Sequence, residues 1–442
     1  MKARLTWLAL LLAAVVVIAA GCGGDDNESA GATTTSEGTT SGPDTNVNGS
    51  ISVLAVWTGE EGKNFQAVID GFKQKYPNVK VAYKSASEPA TVLSTAVEGG
   101  NPPDIAALPQ PGFMTDFAQR NALKPIDFMK DKVAEGYSPS WIDLGTVDGK
   151  LYGLFFKGSN KSTVWFNVPA YKDAGVEPAK TWADFLKNGD TIKASGVPPY
   201  SIGGANGWTL TDLFENIYAH SAGPDKYRQL SKHEIPYTDQ SVVDALTEMG
   251  KVLAPDNIAG GVSGALQTDF PTSVTQVYAT PPKAAQVMEG DFVGGVIAGE
   301  TKAKPNADFN VFAFPAASDA NKGVVMGGGD VMVMFKDNPA ARAFMQYLAT
   351  PEAGVPWAKA GGFASPNKNF DPSNYSDPLF RRTATEFANA KEFVFDMSDL
   401  QPGSFGSDSE FTILQDFVKN PQDAQATAQK LETAAAKAYK AS

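Results

Sequence analysis

ISVLAVWTGEEGKNFQAVIDGFKQKYPNVKVAY, residues 51–83, carries the pattern that decides the fold. Ile51 to Val56 is an unbroken apolar run behind a Gly49-Ser50 turn, as expected for a strand buried on both faces. Phe65, Val68, Ile69, Phe72 and Tyr76 then recur at helical spacing until Pro77-Asn78 stops them. Val79, Val81 and Tyr83 alternate as a second strand. Outward from there, Val92, Leu93, Ala96 and Val97 mark a second helix ended by Gly99-Gly100, and residues 104–108 read as a third strand. Strand, helix, strand, helix, strand with short connections implies a parallel sheet with right-handed crossovers. Such sheets bind ligands beyond the carboxyl ends of their strands. That rule sets Trp57-Thr-Gly-Glu-Glu61 beside Pro109-Gln-Pro-Gly112.

The chain then leaves this half and returns. Residues 161–167 (KSTVWFN) are strand-like, Thr181 is placed as the N-cap of a helix, and further helices are expected at 209–222 and 241–253. Strands return at 309–314 and at 330–335, the latter preceded by Gly327-Gly-Gly329, and the pattern is mostly helical after Asn338. Two or three crossings are the wiring of a hinged pair of lobes. The expected fold is α/β, with residues 49–165 and 316–350 in an N-terminal lobe and 168–310 and 352–442 in a C-terminal lobe. About 390 residues beyond the N-terminal segment are too many for one ordinary core and suit two.

The first residues carry a different signal. Lys2 and Arg4, an apolar run from Leu5 to Ala20, and small residues before Cys22 describe a secretory signal peptide over 1–21 whose cleavage leaves a cysteine first. This resembles the lipobox of bacterial lipoproteins. The apolar run is shorter than the ~20 residues that span a bilayer; the alternative is an ordinary signal peptide or single anchor in which Cys22 is incidental. Residues 22–48, rich in Gly, Ser, Thr, Asp and Asn, read as a flexible tether. The expectation is an exported protein held to the lipid bilayer, on the outer face of the cell membrane, by acylated Cys22. Each buried methylene of such an anchor contributes about 0.8 kcal/mol. Cys22 is the sole cysteine, so the two cores hold without a disulfide.

Composition narrows the function. A net charge of -12 without a Lys/Arg cluster argues against nucleic acid. The only two histidines, His220 and His233, lack partners at ligand spacing, so neither a metal nor a cofactor is expected. There is no G-x-S-x-G elbow. Glycoside hydrolysis needs two carboxylates about 5 to 9.5 Å apart; Glu60, Glu61, Asp212 and Asp330 leave it open and nothing favours it, so the chain is read as no enzyme. What the loops at strand ends offer is aromatic and polar residues: Trp57, Glu60, Glu61, Gln110, Asn206, Trp208, Asp212, Phe292 and Asp330. Aromatic planes suit the apolar faces of a sugar ring, and carboxylates and amides suit its hydroxyls. Each has a plainer reading too: Trp57 and Trp165 as core, Glu60 as a first-turn acid favoured by the helix dipole, Asp212 on a solvated helix face.

Ten motifs in order, VWTGEE (56–61), GNPPDIAALPQPG (100–112), DGKLYG (148–153), KSTVWFN (161–167), KTWADF (180–185), GWTLTD (207–212), VFAFP (311–315), GGGD (327–330), GGFASPNK (361–368) and FDMSDLQPG (395–403), resemble the family 1 extracellular solute-binding proteins of ABC importers. This is the maltose-binding-protein superfamily, and the likeness is to its bacterial alpha-glucoside carriers. The resemblance implies a periplasmic-binding-protein-like clamp, each lobe a mixed sheet flanked by helices, with a carbohydrate in the interlobe cleft. It implies a monomer that delivers an alpha-glucoside or short oligosaccharide to the transmembrane subunits of an ABC permease. Contacts are implied from Trp57, Glu60, Glu61, Gln110, Trp208, Asp212, Asp291-Phe292 and Asp330. Other solutes (a polyol, amino sugar or peptide), a glycan-sensing receptor and a secreted glycosidase are the alternatives. Relatives in this branch often carry Trp where this chain has Leu213 and in an aromatic pair where it has Phe411-Thr412, which bears on the sugar and its size.

Overall fold

The computed structural model describes residues 46–390 and 392–441. The expected signal peptide (1–21), Cys22 and the expected tether as far as residue 45 lie outside the described residues. Within them the strands are β1 (Gly49–Ala55), β2 (Val79–Ser85), β3 (Ile105–Leu108), β4 (Thr146–Val147), β5 (Lys150–Leu151), β6 (Gly153–Asn160), β7 (Thr163–Asn167), β8 (Gln286–Met288), β9 (Phe309–Ala313), β10 (Val324–Met334) and β11 (Glu392–Phe395).

The first sheet runs β11-β10-β3-β1-β2, with β6 on the other side of β10. β1 is parallel to both β2 and β3, as its sequence predicts, whereas β10 is antiparallel to β3 and β6. The sheet is therefore mixed. Alternation explains why β1 reads as continuously apolar: Ile51, Val53 and Ala55 face one core with Phe65, Ile69, Phe72 and Phe344, while Leu54 faces another with Leu93, Leu108 and Phe117. Each such apolar side chain contributes roughly 1.5 to 3 kcal/mol when fully buried, so both faces of this strand stabilise the lobe.

The second sheet is β8-β7-β9, antiparallel throughout. It sits among cores built from Trp165, Val287 and Val311 on one side and Phe185, Tyr200, Leu213 and Phe214 on the other. The helix Trp182–Ala194 starts where its cap residue predicts: Thr181 Oγ1 accepts from the Asp184 N–H at 3.1 Å and donates to Asp184 Oδ2 at 2.8 Å.

β10 joins the two halves. Val324 and Met326 pack in the second core, whereas Val331 to Met334 pack in the first. The strand expected at 330–335 thus begins at Val324, and Gly327-Gly-Gly329 lie inside it rather than before it. Close approach requires glycine at two of these positions: a Cβ on Gly327 would stand 2.6 Å from the Ser159 carbonyl oxygen, and one on Gly329 would stand 2.9 Å from the Trp141 ring. The lobe boundary at 352 also needs correction. Ala353, Trp357 and Ala358 of the helix Pro351–Ala360 lie in the first core, against the helix Gly59–Lys75; after contributions from Leu379, Phe380 and Val394 to the second lobe, and Leu400 against the first, the chain stays in the second core from Phe405. An amphipathic helix does not carry in its own sequence which of two sheets it will cover.

Candidate functional site

Two lysines on the hinge organise the site. Lys157 points from β6 and is buried; its Nζ lies 2.9 Å from Glu61 Oε1 and 3.7 Å from Asp330 Oδ2. A register shift in β10 between Asp330 and Val331 aims the Asp330 carboxylate, which also accepts a hydrogen bond from Trp57 Nε1–H at 2.6 Å. Burial works against the Lys157 ammonium, but Glu61 and Asp330 outweigh it and hold the group above its ordinary range. Lys161 follows β6 by one residue. Its Nζ is 3.0 Å from Asp212 Oδ1, 3.7 Å from Asp399 Oδ2, and bonded to Asp396 Oδ2.

The segment that supplies Asp396 and Asp399 is held by a buried acid on the helix Trp208–Ala222. Glu215 accepts the backbone N–H groups of Met397 (2.5 Å) and Ser398 (2.9 Å) and the hydroxyl of Tyr227. Asp396 Oδ1 caps the following turn through the Asp399 N–H at 3.1 Å. One turn earlier on the same helix, Asp212 is 2% exposed. Burial drives its carboxyl up to about 8 in spite of the Lys161 ammonium, whereas at Asp396 the same ammonium wins and holds the group low.

From the second lobe comes an extended stretch between β8 and the helix Val293–Glu300. Glu289 and Asp291 are each 3% exposed. Hydrogen bonds at suitable geometry reach neither oxygen of Asp291, nor Glu289 Oε2, nor Asp212 Oδ2. Burial raises Asp291 to about 7 and Glu289 well above its ordinary range. Glu289 interacts electrostatically with Asp212 and Lys161, and Asp291 with Lys157 and Glu61; the stretch lies beside both lysines, its Glu289 and Asp291 N–H groups donating to the carbonyls of Thr163 (3.2 Å) and Asn160 (2.9 Å). Aromatic rings line the same place: Phe292 lies 5.9 Å from Trp208 and 5.2 Å from Phe270, Lys157 Nζ is 5.4 Å from the Phe292 centroid, and Lys161 Nζ is 5.9 Å from Trp208.

The residues singled out from sequence divide three ways. Glu61, Trp208, Asp212, Phe292 and Asp330 converge on the two lysines. Trp57 does not serve as a platform: it is 1% exposed, its ring packs on Phe65 at 4.5 Å and Trp357 at 4.9 Å, and its part in the site is to position Asp330. Trp165 is likewise core. Glu60 pairs with Lys63 and packs against Gly299 of the second lobe, Gln110 is half-buried ahead of the helix Pro111–Gln119, and Asn206 is exposed in its turn. Gly112 of the PQPG loop abuts the carbonyl of Asp399, where a Cβ would come within 3.3 Å. Sequence reasoning missed Lys157, Lys161, Glu289, Asp396 and Asp399. The signal for the last two was present, because FDMSDLQPG places two acids three residues apart with a Ser between them.

Backbone N–H groups of Asn160 and Asp291 lie near the Asp291 carboxyl, and Glu289 and Asp212 are close enough to share a proton; buried acids left incompletely satisfied beside aromatic rings are suited to hold a ligand rich in hydroxyl or N–H donors. The comparisons with known proteins agree with a receptor of this design. The family model of the bacterial extracellular solute-binding proteins matches residues 57–355. The osmoprotective compounds-binding protein GgtB of Synechocystis is 31% identical over 391 residues, covering 86% of this chain and 92% of its own. The alpha-glucosides-binding periplasmic protein AglE of Rhizobium meliloti is 33% identical over 402 residues, 86% of each. Among solved structures, the solute receptor AcbH, described as preferring β-D-galactopyranose, superposes with a TM-score of 0.79 at 19% identity, covering 89% of this chain and all of that one. A chitin oligosaccharide binding protein does so at 0.78 and 19%, covering 89% and 99%; at these identities the likeness speaks for the fold. With a family match over most of the described residues and two full-length relatives above 30% identity, the chain belongs to the bacterial extracellular solute-binding proteins.

Proposed function

We propose that this protein captures a carbohydrate between its lobes and presents it to the transmembrane subunits of an ABC permease. The observation that carries the reading is the set of buried carboxyl groups at Asp212, Glu289 and Asp291 whose oxygens are incompletely satisfied by the protein, set beside the Trp208 and Phe292 rings where both lobes meet. Sugar hydroxyls donate to such oxygens, and ring faces lie on such rings. A ligand that touches Glu61 and Asp330 on one side and Asp212 and Asp291 on the other has more contacts when the lobes are shut. Its differential affinity therefore favours closure. The relatives named for alpha-glucosides and osmoprotective compounds support a small glycoside as cargo.

Calorimetry or intrinsic fluorescence against mono- to tetrasaccharides tests the reading, with seven Trp residues available as reporters. At least one saccharide is expected to bind and to quench or shift the emission; silence across the whole panel overturns it. Incubation with maltose-type oligosaccharides is expected to return them uncleaved, as for a carrier and not a glycosidase. Acylation at Cys22 would hold the body at the outer face of the membrane on its Gly/Ser/Thr-rich tether, with two or more acyl chains making attachment stable. Cys22→Ser is then expected to move the protein out of the membrane fraction, and retention there would contradict the anchor.

A further inference from the structure

The charge balance of the cleft exceeds what a neutral sugar needs. Around Lys161 stand Asp212, Asp396, Asp399 and, at the end of the strand paired with β7, Glu289. Around Lys157 stand Glu61, Asp330 and Asp291. Each ammonium is thus shared among three or more carboxyl groups, and none of the ion pairs among the described residues brings an arginine to these acids. Tyr375 also senses Asp291, and Glu215 senses Asp212 from behind, neither adding positive charge.

A buried carboxylate without a counter-charge is costly, several kcal/mol after relaxation. Two outcomes relieve it: the carboxyls keep protons, or a cation arrives. Hydroxyl donors satisfy lone pairs but leave the charge where it is. A metal ion is a poor match, because no three of the described acids are placed as metal ligands. An organic ammonium supplies charge and N–H donors together, and it is stabilised further beside aromatic faces, here those of Trp208 and Phe292.

We infer that the cleft selects a saccharide bearing a protonated amine, whose ammonium sits against Asp291 on the aromatic side formed by Phe292 and Trp208. The inference rests on the carbohydrate reading above and narrows its cargo to a cationic sugar. The proton balance is defined: the amine enters already protonated, Asp291 alone becomes a carboxylate and releases one proton to solvent, and Glu289 keeps its proton, so the charge of the site is unchanged. Burial that holds Asp291 near 7 in the empty cleft makes this release visible around neutrality.

The test is calorimetry on the wild-type protein with matched mono- to trisaccharides, each as the free 2-amino sugar, its N-acetyl form and the parent 2-hydroxy sugar, from pH 6 to pH 7.5. The amine form is expected to bind about tenfold or more tighter than its parent. Its affinity should rise with pH, with protons released as read from buffers of different ionisation enthalpy. Asp291→Asn, checked for unchanged unfolding, should cut the ratio of amine to parent-sugar affinity about tenfold and abolish the proton release, whatever it does to the affinity for the parent sugar itself; an unchanged ratio would overturn the charge inference. Parent sugars that bind as tightly as the amines at every pH would overturn the charge inference and leave the carbohydrate reading standing. Absence of binding by all three forms across the panel would overturn both.

Discussion

Lys161 Nζ stands 3.0 Å from Asp212 Oδ1, tying the exit of the hinge strand to the helix that faces the cleft from the second lobe. The same ammonium holds Asp396 and reaches Asp399, so three acids from two chain segments share one cation where the polypeptide crosses between cores. The crossing between cores and the candidate ligand wall are therefore joined in one electrostatic cluster.

Lys161→Met leaves those acids buried without their counter-charge. Removing one partner of such a cluster costs about 3 to 5 kcal/mol, and the acids offset part of this by taking up protons. Urea unfolding should show the variant destabilised by several kcal/mol, more at pH 8 than at pH 6. A loss under about 1 kcal/mol at both pH values would show that the cluster contributes little to folding.

Trp208→Ala should act on binding and not on folding. The indole is only half-buried and lies against Phe270 and Phe292 rather than inside a core. Loss of its stacking face should weaken the best saccharide of the panel by roughly 1 to 3 kcal/mol, with the thermal midpoint of the empty protein nearly unchanged. Unaltered affinity would place the second-lobe wall elsewhere.

How much of this was legible in the chain follows from what each signal measures. The alternation in β1 and the helical period after it are local, and they gave the parallel core of the first lobe. Trp208, Asp212 and Asp330 stood out because aromatic and acidic residues at strand ends are uncommon without a task. Lys157 and Lys161 did not, since a lysine in a strand reads as a solvated edge; only pairing of β6 with β10 reveals that both ammoniums are enclosed. Trp57 misled in the opposite sense. Its place after a strand is right for a ligand contact, but the helix Pro351–Ala360, nearly three hundred residues away, brings Trp357 over it.

The buried acids set the pH response of the empty protein. Asp212 and Asp291 titrate near 8 and 7 when folded, against about 3.9 when unfolded. Between those limits the folded state holds more protons, so stability falls as pH rises through them. Asp396, held low by Lys161, acts in the opposite direction and matters only at more acid pH. Stability of the unliganded protein should drop by about 6 kcal/mol from pH 5 to pH 8 if both groups behave so. Asp291→Asn should flatten that slope, and an identical slope in the variant would mean that Asp291 is ionised throughout.

Closure of the lobes can be tested without touching a ligand contact. Gly299, at the exposed end of the helix Val293–Glu300, meets the Glu60 side chain so closely that a Cβ there would overlap Glu60 Cγ. Alanine is accommodated if Glu60 swings aside, because only a flexible side chain is in the way. A branched side chain at this point keeps the helix Gly59–Lys75 and the helix Val293–Glu300 apart. In the open form it faces solvent and, by removing a helical glycine, adds about 0.5 to 1 kcal/mol of helix stability. Gly299→Leu should therefore leave the unliganded protein as stable or slightly more so, while weakening saccharide binding by about tenfold and reducing the compaction that ligand produces in small-angle scattering. Equal affinity and equal compaction in Gly299→Leu and the wild type would show that the Glu60–Gly299 contact is not part of the liganded state.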